Sequence, residues 1–305
     1  MKLLLIVRPP RRWVVTAALL AARLTTLDSP RPALALVPNL AATVERLEDL
    51  QEAARDSAAA VALRGLIPSM EFGAPATNAT LPAAVAANIE ERAADLERAF
   101  DGRNLVRDAN LNGSWRLLYS NSKEILNLAA GFPGGFTLGP TYQPIDVALG
   151  FFENHGSVIN RYGLARLSTC VVGDVSPALA GSLNAVGVAN DRGNRIDVNF
   201  RRITFQLDEL FGRPASLRKV LVPTQQADAA QPANDITYLD GGTRIVRGGD
   251  GALFIFAREE SPRPLLSAQQ REALYADARA VGVTTGTGMA EDSAPPELKR
   301  LLRDR

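Results

Sequence analysis

The chain has almost none of the residues that bind transition metals or form disulfides. Among its 305 residues there is one cysteine, Cys170, and one histidine, His155. A single cysteine excludes an intramolecular disulfide, so folding does not require an oxidising compartment. One cysteine and one histidine are also too few for a zinc site built from these two residue types alone. We therefore expect neither a metal nor another cofactor.

The chain also lacks a strong excess of charge. Its 34 Lys and Arg residues nearly balance 33 Asp and Glu residues, and residues 1–40 contain six of the basic residues but only one acid. The rest of the chain is therefore mildly acidic. Because nucleic-acid-binding proteins usually present a basic surface, this balance argues against a nucleic-acid partner.

Catalytic motifs are missing as well. The sequence has no Gly-x-Ser-x-Gly nucleophile motif, no P-loop, and no Gly-x-Gly-x-x-Gly after a strand. His155 is flanked by Asn154 and Gly156, as in a turn, and Cys170 lies in an apolar segment where a buried, unreactive thiol is typical. Residues 248–251 are Gly-rich but lie between two predicted strands, which favours a hairpin turn over a phosphate-binding loop. We therefore predict that the protein is not an enzyme.

The first 40 residues have the composition of a targeting peptide. They are basic, and the apolar stretch between Arg12 and Arg23 is too short to span a bilayer. Two interpretations remain open, an organellar transit peptide and a secretory signal with Ala33-Leu34-Ala35 as its cleavage site. Arg11-Arg12 before the apolar stretch also resembles a twin-arginine signal. We expect residues 1–40 to be removed.

Helical periodicity marks residues 41–105. The first predicted helix spans residues 43–64, with Thr43 as its cap, Gly65 as its left-handed end, and an apolar face of Val44, Leu47, Leu50, Ala54, Ala58 and Val61. The second spans residues 83–100, with an apolar face of Val85, Ile89, Ala93, Leu96 and Phe100. We interpret both helices as a lead-in that packs against the following domain.

Between residues 106 and 260 the period changes to two, which indicates strands. Trp115, Leu117 and Tyr119 alternate along the first of them. Further strand-like segments, separated by Gly, Asn or Asp, span 142–148, 157–162, 164–172, 183–189, 195–207, 243–246 and 252–257. Many short strands with turns between them predict a mainly β fold, an antiparallel barrel or sandwich.

Two of these segments predict specific features. In residues 195–207, the consecutive polar residues Arg201-Arg202 interrupt the alternation, which indicates a bulge or bend of the kind that barrels need to close. Residues 253–256, Leu-Phe-Ile-Phe, are apolar on both faces. We therefore expect the barrel interior on one side of this strand and a helix or a partner on the other.

A C-terminal extension follows, over residues 261–305. Pro262 and Pro264 end the barrel, and residues 267–280 have a helical pattern. Residues 282–296 are expected to be loose, so we predict that the extension is partly disordered.

Three segments resemble the plastid lipid-associated protein (PAP/fibrillin) family. The most specific is Asp235-Ile-Thr-Tyr-Leu-Asp240 with the following Arg244-Ile-Val-Arg247-Gly248. The second, Gly113-Ser-Trp115-Arg-Leu-Leu-Tyr119, is similar to the family's opening strand, and the third is the helical lead-in. Gly241-Gly242 departs from the acidic and apolar pair that the family usually has at that turn. The signature residues matched are Gly113, Trp115, Asp235, Tyr238, Asp240, Arg244, Arg247 and Gly248.

The resemblance implies a lipocalin-like antiparallel β-barrel with an N-terminal helical lead-in. It also implies a chloroplast protein with a transit peptide, associated with plastoglobules or thylakoids through peripheral contact. An eight-stranded barrel has room for one small ligand or is filled by its own side chains. From the alternation, the interior lining would comprise Trp115, Leu117, Tyr119, Val198, Phe205, Tyr238, Phe254 and Phe256, or the opposite parity.

Two functions from different classes follow. The first is a protein that binds or sequesters prenyl-lipids, carotenoids, quinones or acyl lipids. The alternative is a scaffold with a filled barrel that coats lipid globules or docks a partner enzyme of prenyl-lipid metabolism. An enzyme acting in that metabolism is a third interpretation, but it has no visible catalytic group.

The Gly-x-Trp strand also predicts how one barrel end closes. In lipocalin-type barrels the indole fills the base and a guanidinium packs over it as a cation–π pair. Trp115 with Arg244 or Arg247 fits this arrangement. Because these arginines are three residues apart on one strand, they face opposite sides, and the second is free for a carboxylate such as Asp235 or Asp240.

Overall fold

The computed structural model describes residues 57–129, 131, 134–225 and 232–285. Helices α1 to α4 span Ala58–Leu66, Ala83–Ala99, Lys123–Ala129 and Ala268–Tyr275. Strands β1 to β11 span Ala76–Thr77, Gly113–Ser120, Phe136–Asp146, Phe151–Asn160, Ala165–Pro177, Arg195–Leu210, Arg213–Gln225, Ala233–Leu239, Thr243–Gly248, Leu253–Arg258 and Val281–Thr285.

Eight antiparallel strands form a closed barrel. Their order around it is β2-β3-β4-β5-β6-β8-β9-β10, and β10 pairs again with β2. The first residues of β6 close the barrel by pairing with β8, as in Arg195 opposite Asp235. The rest of β6 pairs instead with β7, which carries β11 at its outer edge. The predicted lipocalin-like barrel is confirmed, since the fold is mainly β with helices near the N-terminal side.

A bulge lets β6 serve both pairings. Val172 lies opposite Arg202 and Gly173 lies opposite Phe200, so Arg201 has no partner on β5. A Cβ atom on Gly173 would lie 3.1 Å from the carbonyl oxygen of Asn199, which leaves little room for a larger residue at this bend. The bulge predicted at Arg201-Arg202 is therefore confirmed.

The apolar core has two main parts, one inside the barrel and one outside it. The outer cluster lies between the helices and the adjoining strands and comprises Ala60, Leu63, Ala76, Ile89, Ala93, Leu96, Tyr119, Tyr238, Ile245, Leu253 and Ile255. In β10, Leu253 and Ile255 belong to this cluster, whereas Phe254 and Phe256 belong to the interior. The two-faced burial predicted for residues 253–256 is thus confirmed, with helices as the outer cover.

The helical lead-in differs from its prediction in the first helix. Ser57 caps α1 by accepting the backbone N–H of Ala60, and Ala60 and Leu63 are buried. The predicted Ala58 and Val61 are exposed instead. Gly65 does not end the helix in a left-handed conformation, because the helix continues to Leu66 and ends at the extended Ile67. Residues 43–56, including the predicted cap Thr43, and the predicted targeting peptide lie outside the described residues.

The second helix is close to its prediction. It buries Ile89, Ala93 and Leu96 as expected, but Ala86 is buried in place of Val85.

Several strand assignments from the sequence were incorrect or incomplete, and the predicted strands did not include β7, β8 or β11. Residues 183–189 form no strand, since only Leu183 and Ala189 form an isolated bridge. Their loop is ordered by Arg195, whose guanidinium donates to the carbonyl oxygens of Ser182 and Val188. Strand β7 was missed, because Pro214 and Pro223 interrupt its pattern, yet both prolines are accommodated within the strand.

The C-terminal extension is partly ordered against the outside of the barrel. Leu274 of α4 packs on Val172 and Val220, and β11 pairs in parallel with β7. The predicted loose region is therefore wrong for its first residues, which belong to β11. An ion pair fixes α4, since Arg271 Nη2 donates to Glu153 Oε1 at 2.6 Å and both side chains are buried. The N–H of Leu266 also donates to Glu153 Oε1.

Removing one member of this buried pair should destabilise the fold strongly. Arg271→Met leaves the Glu153 carboxylate buried without its cation, so we expect a loss of about 3–5 kcal/mol in the free energy of unfolding. The double variant Arg271→Met with Glu153→Met should recover much of that loss, because it leaves no unpaired charge. Urea denaturation measures both, with the exposed Arg279→Met as the control. Equal stability of Arg271→Met and Arg279→Met would contradict the prediction.

Candidate functional site

The base of the barrel is filled around Trp115. This side chain is fully buried, and its Nε1–H donates to the carbonyl oxygen of Leu111 at 2.9 Å. Arg258 lies opposite Trp115 on the neighbouring strand, with its guanidinium carbon 4.3 Å from the ring centroid. The Arg258 guanidinium also donates to the carbonyl oxygens of Asn110, Asn112 and Gly241. Stacking and hydrogen bonds together hold this end of the barrel shut.

Arg244 adds a second guanidinium to the base. Its guanidinium carbon lies 5.1 Å from the Trp115 ring centroid and 4.3 Å from that of Phe256. Arg244 therefore takes the position predicted for one of the two motif arginines, but Arg258 stacks closer to the indole. Sequence reasoning missed Arg258, although it lies two residues beyond Phe256 and so on the same face of β10.

Arg247 faces the other side of β9, as the three-residue spacing requires. Its guanidinium binds both carboxylate oxygens of Glu97 on α2, at 2.8 and 2.7 Å. Asp235 and Asp240, the carboxylates expected to pair with this arginine, bind other groups. Asp235 pairs with Arg195 at 2.6 Å, and Asp240 accepts the Tyr238 hydroxyl and the N–H groups of the turn that follows it.

Two of the predicted lining residues face outwards. Tyr119 is buried against α2, where its hydroxyl donates to Glu90 at 2.6 Å, and Tyr238 donates to Asp240 at 2.7 Å. The cause is a bulge in each strand, at Leu118 in β2 and at Thr237 in β8, which reverses the alternation beyond it. Their predicted position inside the barrel is therefore corrected.

The other predicted lining residues face the interior. Trp115, Leu117, Val198 and Phe256 are buried in the inner cluster, and Phe254 packs against it. Phe205 lies nearer the open end, where it is only partly covered. Ligand contact by any of these residues remains a prediction. Gly113 and Gly248 are structural, since Gly113 has a φ of +140° at the start of β2 and Gly248 begins the last hairpin turn.

Polar side chains lie inside the barrel just above the base. Gln143 Oε1 accepts a hydrogen bond from Arg244 Nη2, and Gln143 Nε2 donates to Asn154 Oδ1 at 2.9 Å. Thr141 lies two residues before Gln143 in β3 and therefore on the same face. Its buried hydroxyl has no partner among the described residues. Sequence reasoning missed these residues, although each is a polar side chain at an inward-facing position of its strand.

Above this polar layer, strands β4 to β7 extend beyond the short strands β8, β9, β10 and β2. We call their inner face the long wall. It consists of three cross-strand rows: Asn154-Val171-Ile203-Leu221, then Gly156-Thr169-Phe205-Lys219, then Val158-Leu167-Leu207-Leu217. Burial decreases along it, from the buried Ile203 and Leu221, through the half-buried Phe205, to Leu217 with 74% exposure. The long wall is thus a mostly apolar face, with Lys219 as the charged residue of its middle row, that opens towards solvent.

The PAP_fibrillin family model matches residues 63–257, which is well over half of the chain and runs from α1 through β10. The chain belongs to the PAP/fibrillin family of plastid lipid-associated proteins. Membership implies association with plastids, and the family is generally structural and lipid-associated rather than enzymatic. Comparison with curated proteins and with solved structures gave no match. Within the described residues, no helix combines the length and apolar composition needed to cross a bilayer.

One cluster in this fibrillin could suggest metal or nucleophile chemistry. Donor atoms of Glu153, His155 and Cys170 lie within 4.8 Å of one another on the outer face of the barrel, under the C-terminal extension. The Arg271 cation already occupies Glu153 Oε1, which opposes binding of a metal cation there. Both Glu153 and Cys170 approach the same ring nitrogen of His155, Nε2, so the histidine cannot relay a proton between them. The arrangement therefore best serves to hold the extension in place.

Trp115 should be the largest single contributor to the barrel base. Trp115→Ala should cost about 3–5 kcal/mol of unfolding free energy, as truncation of a large buried aromatic does. Arg258→Ala should cost about 2–3 kcal/mol, because it removes stacking and charged hydrogen bonds to backbone carbonyls. Chemical denaturation measures both, with the exposed Arg98→Ala as a control. If Arg258→Ala unfolds like Arg98→Ala, stacking does not close the base.

The Cys170 thiol should be almost inert in the native protein. Burial, followed by the nearby Glu153 charge, raises the pKa of this thiol to about 12 from its ordinary value near 9. Each pKa unit lowers the thiolate fraction about tenfold at neutral pH, so alkylation should be roughly a thousandfold slower than in the denatured chain. Iodoacetamide labelling with and without denaturant measures this ratio. Similar rates in both states would show that Cys170 is accessible and ionised.

Proposed function

We propose that this protein binds a single hydrophobic small molecule, with the ligand lying on the long wall at the open end of the barrel. The observation that carries the proposal is the gradient of burial inside one barrel. The base is filled by Trp115, Phe152 and Phe256, whereas Val171, Phe205 and Leu207 of the long wall are only half-buried. Exposed apolar surface inside a concave fold is favourable to cover with an apolar ligand.

The ligand classes that fit are prenyl-lipids, carotenoids, quinones and acyl lipids. Each has a long apolar part that can cover Val171, Phe205 and Leu207, and none needs a metal or a catalytic group. We place this binding in the plastid, at plastoglobules or thylakoid membranes, in keeping with the family.

Peripheral contact with a lipid surface is supported by two adjacent hairpin tips. The N–H of Phe211 donates to the carbonyl oxygen of Leu164, which joins the β6–β7 turn to the β4–β5 turn. Tyr162 and Phe211 are 75% and 71% exposed at these tips. They lie at the same end as the open mouth, so an aromatic pair seated at a lipid surface would bring the long wall next to its ligand.

A second candidate function is a scaffold that coats lipid globules or docks a partner enzyme. The observation that favours it is the loop before β6, where Leu179, Leu183, Val186 and Val188 are all more than half exposed. Such a run of apolar side chains at the closed end of the barrel suits a protein partner. The two functions differ in what they need, because the scaffold requires no free space inside the barrel.

Ligand binding on the long wall should depend on Phe205. Phe205→Ser should weaken binding of a prenylquinone about tenfold, which is about 1.4 kcal/mol, because it removes apolar area from the proposed contact. The matched control is Gln206→Ser, the next residue of β6, which faces outwards. Quenching of tryptophan fluorescence during titration of the full-length chain measures the affinity.

Equal affinity of the two variants would show that the ligand does not lie on the long wall. If neither a prenylquinone nor a carotenoid binds the unaltered chain, the scaffold becomes the preferred function.

A further inference from the structure

Arg244 is a buried cation for which the described residues provide no anion. Its side chain is 1% exposed, and no carboxylate pairs with it in the described part of the chain. The nearest charged influence is Arg258, a second cation. Arg244 Nε has no hydrogen-bond partner among the residues that the structure describes, and Nη2 donates to the neutral Gln143.

This arrangement is unfavourable by itself. Arg247 on the same strand has Glu97, and Arg195 and Arg271, which are equally buried, have Asp235 and Glu153. Burial of an unpaired charge is costly, and the rings of Trp115 and Phe256 compensate it only in part. Burial, assisted by Arg258, lowers the pKa of Arg244 to about 9, which still leaves the guanidinium protonated at neutral pH. The positive charge is therefore buried without a carboxylate partner among the described residues.

The polar groups around Arg244 lead towards the mouth. Gln143 and Asn154 form the layer above it. Thr141 lies opposite Gly156 in the next layer, and its hydroxyl also has no partner within the described part of the chain. A Cβ atom on Gly156 would lie 2.9 Å from Thr169 Oγ1, so the glycine leaves room for the hydroxyl of Thr169 in that layer. On the side of β5 and β6 the same layers continue into the long wall, where Val171 lies opposite Asn154 and Phe205 lies opposite Thr169. The interior therefore offers a cation and unsatisfied polar atoms at its inner end and an apolar face at its outer end.

We propose that Arg244 binds the carboxylate of a single-chain amphiphile whose apolar chain lies along the long wall. This rests on the proposed function, and it adds the class of ligand. A carboxylate supplies the missing negative charge and accepts N–H donors of a guanidinium, which is the charged hydrogen bond that arginine forms best. A hydroxyl or a quinone oxygen would leave the charge uncompensated. The chain carbons then cover the half-buried Val171, Phe205 and Leu207.

The test compares three ligands with the same twelve-carbon chain on the full-length protein. Dodecanoate, its methyl ester and dodecanol are titrated by calorimetry at pH 7.5, below the concentrations at which they aggregate. We expect dodecanoate to bind at least about tenfold more tightly than the ester and the alcohol, since only the acid provides a charge-assisted bond. Arg244→Gln should reduce this preference to about threefold or less. The matched control is Arg247→Gln on the outer face of the same strand, which should retain the preference.

The outcomes separate this proposal from the function on which it rests. If all three ligands bind unaltered protein equally well, the barrel binds apolar molecules but Arg244 does not select a carboxylate. If none of the three binds although a prenylquinone does, the carboxylate proposal is overturned and the proposed function stands; if the prenylquinone and a carotenoid do not bind either, the proposed function fails as well. Should Arg244→Gln not fold, the preference of the unaltered protein and that of Gln143→Leu decide the matter. Loss of Gln143 frees Nη2 for the ligand, so an unchanged or larger preference for dodecanoate supports the anchor, and loss of the preference overturns it.

Discussion

The barrel depends on the stack of two guanidiniums against Trp115. This one contact joins the first barrel strand, through Trp115, to the last two, through Arg244 and Arg258. Arg258 extends it to the turn before β2 and to the β8–β9 turn, because it donates to carbonyl oxygens in both. A barrel has no free edge only if its first and last strands stay together, and here their pairing begins at the stacked pair itself. The filled base follows from this contact.

Bulges decide which side chains the barrel turns inwards. Shifts by one residue at Leu118 in β2, Arg201 in β6 and Thr237 in β8 each exchange the inner and outer faces beyond them. The shifts in β2 and β8 bring Tyr119 and Tyr238 to the outside, where their hydroxyls reach Glu90 and Asp240. Hydrogen bonds as well as apolar contacts then attach the helices to the barrel. The bulges, which bend the sheet into a barrel, thus also place the side chains that contact the helical lead-in.

The molecule has different covers on its two sides. The helices α1 and α2 cover the short strands, whereas the C-terminal extension covers the outer face of the long strands through the buried Arg271–Glu153 pair. The family match ends before this extension. Because the extension packs on the outer face of the long strands, it supports the long wall from outside the barrel and leaves the inner face uncovered. A rigid apolar face next to exposed hairpin tips is what a protein that collects a lipid from a surface requires.

Much of this architecture was determined by the sequence alone. Alternation revealed most of the barrel strands, the Arg201-Arg202 pair marked a bulge, and the Leu-Phe-Ile-Phe run required a cover on both faces, because these signals depend only on neighbouring residues. The positions of Tyr119, Tyr238 and Arg258, and the pairing of Arg271 with Glu153, were decided only by the tertiary structure. A one-residue shift at Leu118 or Thr237 depends on the partner strand, and the sequence of one strand contains no record of it. Ion pairing also depends on the tertiary structure, because the carboxylate partner of an arginine comes from a segment that is distant in the sequence.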